Sequence, residues 1–456
     1  PGLICISSCP AVRAFAFCQL QDRQTARREG DIRTRWAWVE PSVWTDRMLE
    51  ALENGVKGSK WYSLMDKVYD LANLRAAWVR VRRNRGAAGV DRQSVEKFGK
   101  RAEGYLEELH CALKEGHYQP RPVLRKWIPK PGSKQLRPLG IPAVKDRVVQ
   151  TALRNVIEPI FEAQFLDVSH GFRPRRSAKD ALREVWRLLT EGSVWVVDAD
   201  IQSYFDTIDW ELLIEDVQKS ITDGKVLALL ESYLTQEVIE GLKVWKPTQG
   251  TPQGAVISPV LANLYLHAVD QALSQAGYQV VRYADDLVIL CRSENEAQEA
   301  LALLQGEITR RQLTLHPEKT RLGEATQHGG FDYLRYDIER GYRWVRQKSV
   351  QALKDKLRAQ TKRTNGTSLA CIIASLNRTL RGWFAYFKHS HWQTFRRLDS
   401  WLRMRLRSIL RKRHKGRGRG RGRDHNRWPN AFFAAQGLFT LVAAYEAVRQ
   451  SRCGNH

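Results

Sequence analysis

Two short apolar runs, Val280-Val281 and Leu287-Val288-Ile289-Leu290, flank Tyr283-Ala284-Asp285-Asp286 and predict a β-hairpin with two adjacent carboxylates at its tip. Upstream, Val194-Trp195-Val196-Val197-Asp198-Ala199-Asp200-Ile201 reads as a second strand, with Val197, Ala199 and Ile201 on one face and Asp198 and Asp200 on the other. The 85 residues from Asp200 to Asp285 leave room for a helix-bearing connection, so both strands can belong to one sheet. Elsewhere the period is helical. Trp61, Val68, Leu71, Leu74, Trp78 and Val81 predict a helix ending in Arg80, Arg82, Arg83 and Arg85, whose charges suit a helix C-terminus as well as an RNA contact. Further helices are predicted from Asp146 to Phe161, Ser177 to Leu189 and Glu296 to Arg311, and one opens after the Gly/Pro loop Thr248 to Pro259. A hairpin is predicted across Phe331 to Tyr336.

Cations alternate with turn residues from Lys126 to Pro142, the pattern of a basic hairpin reaching over a groove or of a solvated one. Arg137, beside the rigid Pro138, is the preferred phosphate ligand of that stretch. From Val350 the chain turns helical. Leu376, Leu380, Trp383, Phe384 and Phe387 form one apolar stripe, and Leu398, Leu402, Leu406, Ile409 and Leu410 another. Arg396, Arg397, Arg403, Arg405 and Arg407 lie outside the second stripe and are the candidate RNA-binding residues. Arg411 to Arg427 alternates Gly with Arg, a segment expected to be too flexible and charged to fold alone. The apolar stretch from Ala431 to Val448 contains Gln436, Thr440 and Glu446 and is read as a docking helix, with no membrane span. Residues 1–57 lack a sustained period and are expected to be peripheral and poorly ordered, the sequence starting upstream of the working protein.

Charge narrows the partner. Lys and Arg number 74 against 49 Asp and Glu, a formal net charge of +25, which favours a polyanion through counterion release. Seven cysteines without a C-x-x-C pair point to a reducing, cytoplasmic setting and to no structural zinc. Acids set in apolar strands of so basic a chain need a partner, and a divalent cation is the strongest one available. An Asp-Asp pair by itself would read as a turn. With Asp200 or Asp198 brought beside it, the pair can hold the two Mg²⁺ ions of phosphoryl-transfer enzymes. Asp206 and Asp209, before Trp210, suit helix capping instead. Gln253, in the Gly/Pro loop, can hydrogen-bond a ligand without adding charge.

The motifs together closely resemble those of the bacterial group II intron-encoded reverse transcriptase/maturase family. They are Lys-Pro-Gly-Ser-Lys to Ile-Pro at 130–142, His-Gly-Phe-Arg-Pro at 170–174, Asp-Ile-Gln-Ser-Tyr-Phe-Asp at 200–206, Thr-Pro-Gln-Gly at 251–254, Tyr-Ala-Asp-Asp at 283–286 and Arg-Gly-Trp-Phe-Ala-Tyr-Phe at 381–387. The resemblance implies an α+β right-hand polymerase: an N-terminal extension over 58–110, fingers and an antiparallel palm sheet over 111–340, a helical thumb (domain X) over 341–412, and a basic tail with a docking segment over 413–456. It implies Asp200, Asp285 and Asp286 as the metal-binding catalytic triad, Phe205 as a steric gate against the ribose 2′-OH, and Arg137, Gln253 and Lys319 as residues of the dNTP site. The implied partners are group II intron RNA, an RNA template with its DNA primer, dNTPs and target DNA. Two departures stand out. Tyr333-Leu334-Arg335 replaces the family's common Phe-Leu-Gly, and no Cys-pair plus His-Asn-His endonuclease motif follows domain X, so mobility is expected to use a nick or primer made elsewhere. Rival readings are a splicing-only RNA-binding maturase and a defence-associated or retron-type reverse transcriptase.

Overall fold

The computed structural model describes residues 31–56, 58–129, 136–418, 420 and 422–453. These divide into two units that part after Leu322.

In the first unit, β3 (Trp195–Asp200) pairs antiparallel with β7 (Asp286–Cys291), and β7 with β6 (Gln279–Tyr283). The predicted strand and hairpin are neighbours. Val197 faces Ile289 across the ladder and Ala199 faces Leu287. These four and Val280 enter a core shared with the helices Val144–Glu162, Ser258–Gln275 and Glu294–Arg310. Helix Val144–Glu162 is buried nearly all round, so its polar residues need internal partners. Asp146 accepts from the Tyr118 hydroxyl at 2.7 Å, Asn155 donates to Asn73 at 2.8 Å, and Glu158 pairs with Arg154 at 2.7 Å.

Two expectations are corrected here. The helix expected from Trp61 onward is two, Met65–Tyr69 and Leu71–Asn84, because the Asp70 carboxylate accepts from Ala72 N at 2.7 Å and caps a fresh start. The segment 1–57, expected to be peripheral, supplies Val39, Val43, Trp44 and Leu49 to the core, and the Trp44 indole donates to Asn155 O at 2.9 Å; residues 1–30 lie outside the described ones. The arms of the predicted basic hairpin are strands that join a larger sheet. These arms, β1 (Val123–Pro129) and β2 (Leu136–Ile141), extend a sheet of order β2-β1-β4-β5 with β4 (Val238–Glu240) and β5 (Lys243–Trp245), β1 running parallel to β4. The hairpin's tip, 130–135, lies outside the described residues.

The second unit opens with an antiparallel sheet of Phe331–Tyr333, Tyr336–Glu339 and Tyr342–Val345. Helices Gln347–Gln360, Leu369–Phe387 and Trp392–Arg413 follow. The Gly/Arg segment also departs from expectation, since its described residues fold back on the helix Trp392–Arg413. Asp424 is buried and pairs with Arg411 at 2.7 Å, and Trp428 is buried as well. The apolar C-terminal stretch forms Asn430–Ala435 and Leu441–Cys453. Asp399 accepts from Leu441 N and Val442 N, each at 3.1 Å, and so docks the last helix. Among the described residues no helix is long and apolar enough to cross a membrane.

Candidate active site

The register of β3 and β7 sets Asp200 directly opposite Asp286, and Tyr283 of β6 faces Asp286 from the other side. Only Ala284 and Asp285 connect β6 to β7. Ala284 takes φ +60 at the first loop position, where a two-residue hairpin of this kind favours Gly. Asp286 is exposed and Asp285 half-buried. Burial raises the Asp285 pKa and the neighbouring Asp200 charge raises it further, while Arg137 and Lys319 pull it down. Lys319 Nζ lies 2.6 Å from Asp200 Oδ2. The chain delivers it there by pairing with the end of β3: Gln202 N donates to Thr314 O at 2.9 Å and His316 N to Asp200 O at 2.7 Å. Asp198 faces Val288, two residues further down the ladder from the turn.

Beneath the turn lies a buried lock that the sequence reading missed. Arg282, 1% exposed, donates through Nε and Nη2 to both oxygens of Asp270, at 2.7 and 2.5 Å. Its Nη1 donates to Ala284 O at 2.9 Å and to Asn263 Oδ1 at 3.1 Å. Asn263 in turn donates to Gly171 O at 2.8 Å. Gly171 is pressed onto the turn so closely that a Cβ there would overlap the Ala284 nitrogen. One guanidinium and one amide therefore fix the backbone that carries Asp285, together with the loop beside it. A faint signal was present: a cation inside an apolar strand, and Asn263 and Asp270 seven residues apart on one face of an apolar helix.

The Gly/Pro loop joins the remaining candidates. Gly250 N donates to Ile208 O and Thr251 N to Phe205 O, both at 2.7 Å, while Gly140 N of β2 donates to Gln253 O at 2.6 Å. Gln253 thus lies between the strand of Arg137 and the short helix Tyr204–Thr207, its Nε2 3.5 Å from Asp206 Oδ2. Phe205 is half-buried and Arg137 exposed. Asp209 does cap its helix, accepting from Leu212 N at 2.9 Å. Asp206 does not; it lies inside the short helix, and burial raises its pKa.

Among the arginines of Trp392–Arg413, Arg407 is a correction. It is 3% exposed, donates to Trp428 O and Asn430 Oδ1 at 2.9 Å each, and stacks on Phe433. Arg405 is also engaged, donating to Thr361 Oγ1 at 2.6 Å and stacking on Trp401. Arg403 is half-buried and offsets the charge of Asp399. Arg396 and Arg397 are exposed.

Asp200, Asp285 and Asp286 are an all-oxygen donor set that suits a hard divalent cation. The mutual repulsion of Asp200 and Asp285, with an ammonium already drawn to Asp200, fits a place that calls for positive charge. As they stand, no three His, Cys, Asp or Glu side chains among the described residues are gathered closely enough to hold one ion.

The sequence profile described as "Reverse transcriptase (RNA-dependent DNA polymerase)" matches residues 128–351, and "Group II intron, maturase-specific domain" matches 350–428. Protein YkfC of Escherichia coli is 32% identical over 358 residues, covering 69% of this chain and 87% of that protein. The chain belongs to the group II intron reverse transcriptase/maturase family. Group II intron-encoded protein LtrA of Lactococcus lactis subsp. cremoris is 40% identical over 194 residues, 42% of this chain, and the chain spans 32% of that relative's length. Nuclear intron maturase 1, mitochondrial, of Arabidopsis thaliana is 39% identical over 93 residues, 20% of this chain and 13% of that one. Among solved structures, a telomerase from Candida albicans is similar at a TM-score of 0.39 and 13% identity, over 69% of this chain and 64% of that one, too slight a likeness to add to the family assignment. The reverse transcriptase profile spans Arg137, Asp200, Phe205, Gln253, Asp285, Asp286 and Lys319; the maturase profile spans the five arginines.

Proposed function

We propose that the chain is an RNA-directed DNA polymerase that copies intron RNA into cDNA and binds that RNA to assist its splicing and mobility. One observation carries the proposal: Asp200 and Asp286 face each other across adjacent strands, with Asp285 in the adjoining turn and Arg137 and Lys319 close enough to offset its charge. On this view β3, β6 and β7 are the palm sheet, β1 and β2 belong to the fingers, and the helices from Gln347 onward are the thumb.

Asp200, Asp285 and Asp286 would hold two Mg²⁺ ions, which when bound supply stabilisation of the charge that develops around the reacting phosphate. A primer 3′-OH attacks the α-phosphate of a dNTP paired to the RNA template; the bond to the β-phosphate breaks and pyrophosphate leaves. Arg137 offers its fork to the triphosphate and Lys319 adds a point charge. Gln253 hydrogen-bonds the incoming nucleotide, and the Phe205 ring crowds a 2′-OH. Positioning and charge stabilisation account for the catalysis. Arg396 and Arg397 contact the RNA backbone, and the primer and target are DNA.

Asp285→Ala tests the assignment. Primer extension on an RNA template should be abolished while affinity for the intron RNA stays within twofold, because one carboxylate is lost and the basic surface is untouched. Equal loss of both would refute it, and splicing stimulation without extension in the unmutated protein would favour the splicing-only rival.

A further inference from the structure

Phe172 is the exposed member of a loop that is otherwise pinned. On one side His170 N donates to Arg282 O at 2.8 Å, and Gly171 O accepts from Asn263. On the other, Arg173 is buried and forks onto Glu162 at 2.9 and 2.8 Å. Between them Phe172 takes φ +58 and stands 44% exposed. A bulky residue in the left-handed region is strained, and such strain persists where neighbours over-determine the backbone and the site has a use for it. What the strain delivers is an aromatic edge. The Phe172 ring stands 6.2 Å from that of Phe205 at 75°, while the buried Tyr204 meets Phe205 at 5.5 Å and 60°. The Phe205 ring is held between a buried aromatic neighbour and one presented from the loop that clasps the Asp285 turn.

We infer that Phe172 is a specificity-determining residue that sets the angle of the Phe205 ring and thereby the exclusion of ribonucleotides. The inference rests on the proposed role of Phe205 as the gate. Phe172 acts through Phe205, so it is a positioning residue. Truncating it should leave the gate in place but free to tilt, which costs discrimination before it costs rate.

The test is single-nucleotide incorporation on an RNA template, comparing kcat/KM for a matched dNTP and rNTP in F205A, F172A, F172L and the double variant F172A/F205A. F172A should raise relative ribonucleotide use by roughly 2- to 12-fold, the range an edge-to-face aromatic pair supplies. It should add nothing in the F205A background. F172L keeps the bulk without the aromatic edge, should fall between wild type and F172A, and serves as the test if F172A loses its cooperative melting transition. If F205A admits ribonucleotides while F172A and F172L leave the ratio unchanged, or if the two effects multiply in the double variant, the coupling is wrong. If F205A itself changes nothing, the gate assignment fails and the inference falls with it.

Discussion

Asn263→Ala removes a side chain that ties the 169–172 loop to the guanidinium under the Asp285 turn. Two buried hydrogen bonds disappear, Asn263 to Gly171 O at 2.8 Å and Arg282 to Asn263 at 3.1 Å. Leaving the buried Gly171 carbonyl unpaired costs about 1–3 kcal/mol, and losing an acceptor for a charged donor about 1.5–3 kcal/mol. The combined loss of roughly 2.5–6 kcal/mol reaches only the lower end of the 5–15 kcal/mol that keeps an ordinary domain folded, so a domain of middling stability remains native at 25 °C. Arg282 keeps its fork on Asp270, so the charge pair survives. What loosens is the position of Asp285. A displacement near 1 Å costs on the order of 100-fold in rate, so single-turnover primer extension should slow by about that factor, with template-primer affinity and far-UV circular dichroism unchanged. Asn263→Asp retains an acceptor for Arg282 but cannot donate to Gly171, and should lie between the two. An extension rate within threefold of wild type, alongside the expected loss of stability, would show that the lock braces the core and does not position the acid.

Three further outcomes follow from single groups. Burial pushes the Asp146 carboxyl from 3.8 to about 6; a raised folded-state pKa gives stability that is fully present below the unfolded value and is lost as pH rises through 6, so Asp146→Asn should remove about 2 kcal/mol from the difference in urea-unfolding free energy between pH 4 and 6.5. Arg335 holds φ +72 in the hairpin turn, and Arg335→Gly should raise stability to chemical denaturation by up to about 1 kcal/mol, the left-handed penalty less the extra chain entropy of Gly; a drop would refute the strain. Arg396→Ala with Arg397→Ala should reduce the slope of log affinity for RNA against log salt by roughly 1–2, whereas Arg407→Ala should lower the melting temperature and leave the slope alone.

The acidic hairpin and its partner strand were legible because a period-2 pattern with charges at one end has few alternatives, and the register places Asp200 opposite Asp286 as that pattern requires. Periodicity assigns a residue to a face but does not say what returns to cover that face. Arg407 and Arg396 both lie off the apolar stripe of one helix, yet Trp428 and Asn430 come back onto Arg407, which is buried, while Arg396 stays open. Trp44 shows the converse: its short, aperiodic segment gave no stripe to read, and a single fully buried indole with a partner 111 residues away anchors it. The Arg282–Asp270 pair, twelve residues apart, needs the hairpin and the preceding helix to be packed before it exists at all. Arg335 is the sharpest case, since it stands where the family's common Phe-Leu-Gly has the residue best suited to left-handed backbone. The turn nevertheless forms with both Leu334 and Arg335 at positive φ, held by the Tyr386 hydroxyl donating to Leu334 O at 2.9 Å and Arg346 N donating to Arg335 O at 3.0 Å. Local preference is outvoted there by partners 11 and 52 residues away, and the same holds at Ala284 and Phe172, where neighbouring hydrogen bonds impose left-handed backbone beside the proposed chemistry. Strain of this kind is supplied by tertiary contacts, so sequence alone can flag the misfit residue but not the conformation it is made to adopt.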